Sequence, residues 1–216
     1  MGAVTRFRSV ILDADSTLAS IEGIDWLAER RGPDVAARIA ALTDDAMAGR
    51  VPLEDVYARR LEIIAPSAAE LEALGRAYVD AAAPGAVDVA ARLRARGVAL
   101  RVVSGGLRVA LLPLARVLGF ADGDVHAVDV RFDGGGAFTG VVPSPLATQE
   151  GKAPVARALA LPRPVLAVGD GATDLAMRPE VDAFAAFVGF VRREGVVAGA
   201  DHVVGSFAEV EALVLG

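Results

Sequence analysis

Ser9-Val10-Ile11-Leu12-Asp13-Ala14-Asp15-Ser16-Thr17-Leu18 is the stretch on which the reading of this chain turns. A short apolar run that stops abruptly at acids reads as a buried parallel strand carrying carboxyl groups at its C-terminal end. Carboxylates at i and i+2 of an extended chain share a face, and a chain turning out of the strand aims both at one point. Such a pair divides labour, one group attacking while the other moves protons. An isolated Asp-x-Asp is more often a polar strand end with the second acid capping the next helix. The reading therefore depends on what stands elsewhere.

Two further apolar runs have the same form, residues 99–103 before Ser104 and residues 164–168 before Gly169. Helical patterns over 107–118 and 152–161 lie between them, which is the βαβ alternation of a doubly wound sheet. Functional groups then gather at the C-terminal ends of the strands. Residues 20–82 differ: Ala, Leu, Glu and Arg recur at helical spacing, with breaks at Gly32-Pro33, 49–52 and Pro66-Ser67 that divide the stretch into about four helices. The expected architecture is an α/β chain, a Rossmann-like doubly wound parallel core over 1–19 and 83–216. A small helical-bundle cap, 20–82, is inserted after the first strand. Residues 125–132 and 137–142 flank Asp133-Gly134-Gly135-Gly136 and predict a hairpin.

Composition narrows the function. The 216 residues carry a formal charge of -6 with a sequence pI near 5.0, so the totals give no basic surface for nucleic acid. Mean hydropathy is +0.45, yet no apolar run approaches the roughly 18 residues that span a bilayer. Residues 10–12 are too short for a secretory h-region, so the protein is expected in the cytoplasm, without a membrane partner. The absence of cysteine excludes disulfides and thiolate-bound zinc, and His126 and His202 read as surface or packing residues.

Three features complete the pattern. Ser104-Gly105-Gly106 follows a strand and precedes a helix, where a hydroxyl and free N–H groups suit an anion. Lys152 starts a helix and can neutralise a phosphate. Gly169-Asp170-Gly171-Ala172-Thr173-Asp174 has the look of a dinucleotide loop, but Asp174 replaces the third glycine and paired acids repel a pyrophosphate. Hard oxygen ligands suit Mg²⁺. Taken singly, each has an ordinary reading: a tight turn, a solvated lysine, an acidic surface loop. Together with the Asp13 motif, their order along the chain, with three of the four at strand ends, is what is specific.

That order resembles the haloacid dehalogenase superfamily and, over about residues 8–213, the phosphoserine phosphatase family. Residues 13–17 with Ile21-Glu22-Gly23-Ile24-Asp25, then Ala46-Met47, residues 51–61, Pro66-Ser67 and the later motifs carry the likeness. The resemblance implies hydrolysis of a small phosphate monoester, O-phospho-L-serine, within serine biosynthesis. It implies Asp13 as nucleophile and Asp15 as acid and then base. Mg²⁺ is expected on the Asp13 and Asp170 carboxylates and the Asp15 backbone carbonyl. Ser104, the Gly105 N–H, Lys152 and Thr173 are expected to hold phosphoryl oxygens, with Asp174 in support. Glu22 and Arg60 are expected to read the substrate's ammonium and carboxylate, with Met47 and Gly106 lining the pocket. Leu53 stands where the family often has phenylalanine, and Ala48 where glycine is common. Another phosphorylated metabolite, or transfer to an acceptor alcohol, is the alternative. A dehalogenase has no need of an acid at Asp15, and a non-catalytic relative is expected to have lost a motif residue.

Overall fold

The computed structural model describes residues 5–47 and 51–216. Among them six strands form one parallel sheet: β1 (Ser9–Leu12), β2 (Ala99–Leu107), β3 (Val125–Val128), then β6 (Val165–Gly169), β7 (Ala183–Phe187) and β8 (His202–Val204), in the spatial order β3-β2-β1-β6-β7-β8. A separate hairpin, β4 (Val130–Phe132) with β5 (Phe138–Val141), pairs antiparallel. β1, β6 and β7 are buried at every residue, as expected for parallel strands covered by helices on their faces. Those helices are α5 (Ala86–Ala95), α6 (Arg108–Val117), α7 (Lys152–Ala158), α8 (Ala172–Leu175), α9 (Glu194–Gly199) and α10 (Phe207–Leu215).

Between β1 and α5 lie α1 (Gly23–Glu29), α2 (Pro33–Met47), α3 (Leu53–Ile64) and α4 (Ala68–Asp80). The breaks expected from Gly and Pro fall where these helices end. Ser67 caps α4 in a capping box, accepting from Glu70 N–H while Glu70 accepts from Ser67 N–H at 2.8 Å. The two ends of this stretch meet: Ser20 N–H donates to Ala81 O at 3.0 Å and Ala83 N–H to Leu18 O at 2.8 Å. α4 is amphipathic, with Leu71, Leu74, Gly75 and Tyr78 buried at helical spacing, and it packs on α6. The helical stretch is therefore seated against the sheet layers.

Two expectations need correction. β2 does not end at Val103; it runs on through Ser104, Gly105 and Gly106, and α6 begins only at Arg108. The Ser-Gly-Gly segment is thus an extended continuation of β2 rather than a helix start, and it forms an irregularity between Val103 and Leu107, which pair with β3 on either side of it. The expected hairpin also divides, residues 125–128 joining the main sheet beside β2 and only 130–132 pairing with β5. A four-residue run with a buried face is completed better by an existing sheet than by a two-stranded ribbon. Not expected from the sequence were α5 and the two last strands, β7 and β8.

Candidate active site

Strand register explains why the chemistry gathers. Leu12 of β1 is level with Val102 of β2 on one side and Val168 of β6 on the other. The residues that follow, Asp13, Ser104 and Asp170, consequently leave the sheet together at its C-terminal edge. They line one cavity of about 350 Å³, with Asp15, Glu22, Asp25, Thr43, Tyr57, Arg60, Gly105, Thr148, Lys152, Thr173, Asp174 and Arg193 among its other walls.

Lys152 is the centre of the charge arrangement. Its Nζ lies 2.7 Å from Asp13 Oδ1 and 2.6 Å from Asp174 Oδ1, all three side chains buried. Burial works against the ammonium, but the two carboxylates outweigh it and hold Lys152 protonated above its ordinary range. Asp174 uses its other oxygen to accept from Gly171 N–H at 3.0 Å. Burial first, then the charge of Asp13, pushes the Asp174 carboxyl up to about 8. Asp170 is raised for the same two reasons, while Arg193 Nε donates to its Oδ2 at 3.1 Å and Thr17 Oγ1 to its Oδ1 at 3.5 Å.

Asp15 is held differently. Its Oδ1 accepts from Tyr78 O–H at 2.5 Å and from Gly23 N–H at 3.0 Å. Burial and the Asp13 charge nevertheless push its carboxyl up to about 7. Ser16, at a left-handed φ of 50°, turns the chain away and donates to Glu22 Oε1 at 2.7 Å. Glu22 keeps 43% of its side-chain exposure, and burial of the remainder with the nearby Asp15 charge pushes it up to about 8.

Arg60 is buried, its Nη1 donating to Thr43 Oγ1 at 3.1 Å. Its Nε has no hydrogen-bond partner among the described residues. Ser104 Oγ accepts from Gly106 N–H at 3.0 Å, and Gly105 O accepts from Tyr57 O–H at 2.7 Å. Gly106 lies beneath the cavity rather than on its wall: a methyl there would stand 3.0 Å from Asp15 Oδ2. The side chains of Met47 and Leu53, and the whole of Ala48, lie outside the described residues.

Carboxylate oxygens of Asp13, Asp170 and Asp174 fall within 4.8 Å of one another. Crowded, buried carboxylates facing one lysine suit a small divalent cation, which prefers oxygen ligands. Tyr57, Tyr78 and Arg193 were not singled out from the sequence. One signal was available for the first two: they are the chain's only tyrosines, and a buried tyrosine normally needs a partner for its hydroxyl. Arg193, in the loop after β7, had none.

A strand-end aspartate, a second acid beside it and a buried lysine between carboxylates, on a parallel sheet, are the arrangement of a hydrolase of phosphoric monoesters. The model of the haloacid dehalogenase-like hydrolases matches residues 10–179. The chain is 34% identical to the chloroplastic phosphoserine phosphatase of Arabidopsis thaliana, over 92% of this chain and 69% of that protein. It is 33% identical to the phosphoserine phosphatase of Mus musculus, over 94% and 91%. A solved phosphoserine phosphatase bearing an analogue of the phospho-aspartyl intermediate superposes with a TM-score of 0.78 at 24% identity, covering 96% of this chain and 98% of that one. The chain belongs to the haloacid dehalogenase-like hydrolases and, within them, to the phosphoserine phosphatase family.

Proposed function

We propose that this chain hydrolyses O-phospho-L-serine to L-serine and phosphate through a phosphoryl group carried on Asp13, as part of a cytoplasmic serine synthesis. Residues 20–82 are read as a cap over a core of 1–19 and 83–216. The observation that carries the reading is a single cavity in which the Asp13–Lys152–Asp174 cluster shares the walls with Glu22 and Arg60. A phosphate monoester joined to an ammonium and a carboxylate is the ligand whose charges match that lining.

Lys152, Ser104, Thr173 and the Gly105 N–H hold the phosphoryl oxygens, and an Asp13 carboxylate oxygen attacks phosphorus in line. The bond between phosphorus and the serine oxygen breaks as Asp13 takes the phosphoryl group. Asp15 gives its proton to the departing alkoxide. It then takes a proton from the water that attacks phosphorus and frees Asp13. A carboxyl held near 7 suits both halves of this exchange. Asp174 keeps Lys152 in place. Mg²⁺ would be held by the Asp13 and Asp170 carboxylates and the Asp15 backbone carbonyl; when bound it offsets the clustered charge and draws on that of the phosphoryl group. Glu22 meets the substrate ammonium. Arg60, whose buried Nε has no partner among the described residues, meets the carboxylate.

The test is phosphate release from O-phospho-L-serine, O-phospho-L-threonine, glycerol phosphate and sugar phosphates, with and without Mg²⁺ and acceptor alcohols. Phosphoserine is expected to be preferred, and Arg60→Ala to cost it about 10-fold or more in kcat/KM while leaving glycerol phosphate little changed. Equal loss on both would remove Arg60 from the carboxylate.

A further inference from the structure

We infer that Tyr78, on α4, is a positioning residue that fixes which oxygen of Asp15 faces the substrate. The inference rests on the reading of Asp15 as the proton shuttle and extends it to a residue sixty-three positions away. Tyr78 is fully buried, and its hydroxyl donates to Asp15 Oδ1 at 2.5 Å. The same oxygen receives Gly23 N–H at 3.0 Å, so Oδ1 is committed as an acceptor twice. Among the described residues no hydrogen bond is directed to Oδ2. That oxygen lies over Gly106, where even a methyl would stand 3.0 Å away. A carboxyl with one oxygen held by two donors offers the other for proton exchange, and rotation about its side chain is arrested. The arrangement is tightly fitted: a Cβ on Gly23 would fall 2.1 Å from the Tyr78 oxygen, so the hydroxyl occupies the space that glycine leaves. Both groups belong to the helical stretch, and both act on a side chain at the sheet edge. Proton transfer to the leaving group therefore depends on how α1 and α4 are seated.

In the first half of the reaction, orientation of Asp15 matters only where the leaving group needs a proton; freeing Asp13 of phosphate draws on Asp15 with either substrate. An alkoxide such as serine's needs that proton; nitrophenolate leaves without it. The experiment compares Tyr78→Phe, Asp15→Asn and the unaltered enzyme on O-phospho-L-serine and on 4-nitrophenyl phosphate in a single turnover with enzyme in excess, reading release of serine or nitrophenolate, with Mg²⁺ dependence and thermal melting measured in parallel. In Tyr78→Phe, the single-turnover rate of serine release is expected to fall about 10-fold or more, as misplaced catalytic groups commonly cost. The single-turnover rate of nitrophenolate release and its Mg²⁺ requirement are expected to stay within about 2-fold, which a loss of structure alone would not produce. Should Tyr78→Phe fail to fold, Gly23→Ala displaces the same hydroxyl and the same comparison applies. Unchanged serine release, or an equal fall in the single-turnover release of both leaving groups, overturns the inference. If Asp15→Asn separates the two substrates and Tyr78→Phe does not, only the role of Tyr78 is lost. If Asp15→Asn itself fails to separate them, the proton-shuttle reading falls and takes this inference with it.

Discussion

Lys152 shows how far one residue can organise a site. Three buried side chains share its two contacts, so its removal leaves Asp13 and Asp174 facing each other without compensation. Breaking a buried ion pair from one side costs roughly 3–5 kcal/mol, whereas removing the opposed charge as well recovers much of that. Lys152→Met is therefore expected to abolish turnover and to lower stability in urea by an amount in that range. Adding Asp174→Asn is expected to restore most of the stability and none of the activity. If the double variant melted below the single one, Asp174 would be stabilised by contacts other than Lys152. The sequence placed Lys152 at a helix start behind Glu150-Gly151, where taken singly it reads as solvated; its burial and its two carboxylate contacts were not legible. Asp174 lies twenty-two residues away, beyond β6.

At the scale of an element, α4 links the helical stretch to the sheet layers. Gly75 lets it approach α6: a Cβ there would stand 2.9 Å from Pro113 Cγ and 3.3 Å from the Ala110 carbonyl. Tyr78 lies one turn further along the same helix. Gly75→Val would gain a few tenths of a kcal/mol of helix propensity but overpack this contact by roughly 1–3 kcal/mol. The variant is expected to melt lower and, because α4 carries Tyr78, to slow serine release in a single turnover more than nitrophenolate release. A rise in melting temperature would show that the α4–α6 contact has slack. Helical spacing of Ala, Leu, Glu and Arg marked residues 20–82 as helical in the sequence. It did not say that α6 is the partner, because periodicity identifies the buried face and not what buries it.

For the whole molecule, charge crowding sets a pH dependence. Asp15 is pushed up to about 7, and Asp174 and Glu22 to about 8, so the folded chain holds protons that the unfolded chain releases near pH 4. Stability from these groups is therefore full at acid pH and lost as pH rises through the raised values. His126 acts in the opposite direction, since burial lowers it and favours its neutral form, but it is one group against three. The metal-free protein is expected to melt at lower temperature at pH 8 than at pH 5.5. Mg²⁺ is expected to raise the melting temperature more at pH 8, where the carboxylates are ionised and free to bind it. Scanning calorimetry with chelator and with Mg²⁺ at both pH values is the measurement. A chelated protein that grew more stable from pH 5.5 to pH 8 would contradict the assignment. No helix among the described residues is long and apolar enough to cross a membrane.

The sequence by itself determined the family and the frame of the fold. Apolar runs ending at Asp13, Ser104 and Gly169, a lysine between the last two, and Gly and Pro breaks that end α1 to α3 are all local signals, readable because turns and strand ends are set by neighbouring residues. Tertiary structure alone decided the rest. β2 runs on through Gly106 because β3 pairs beside it, and residues 125–128 join the sheet because its edge accepts them. Tyr57, Tyr78 and Arg193 reach Gly105, Asp15 and Asp170 from other parts of the chain. These contacts depend on helix seating and strand register over separations of twenty-three to sixty-three residues. No local pattern records them, because the hydrogen-bonding capacity of a tyrosine or arginine is the same whichever partner the fold brings to it.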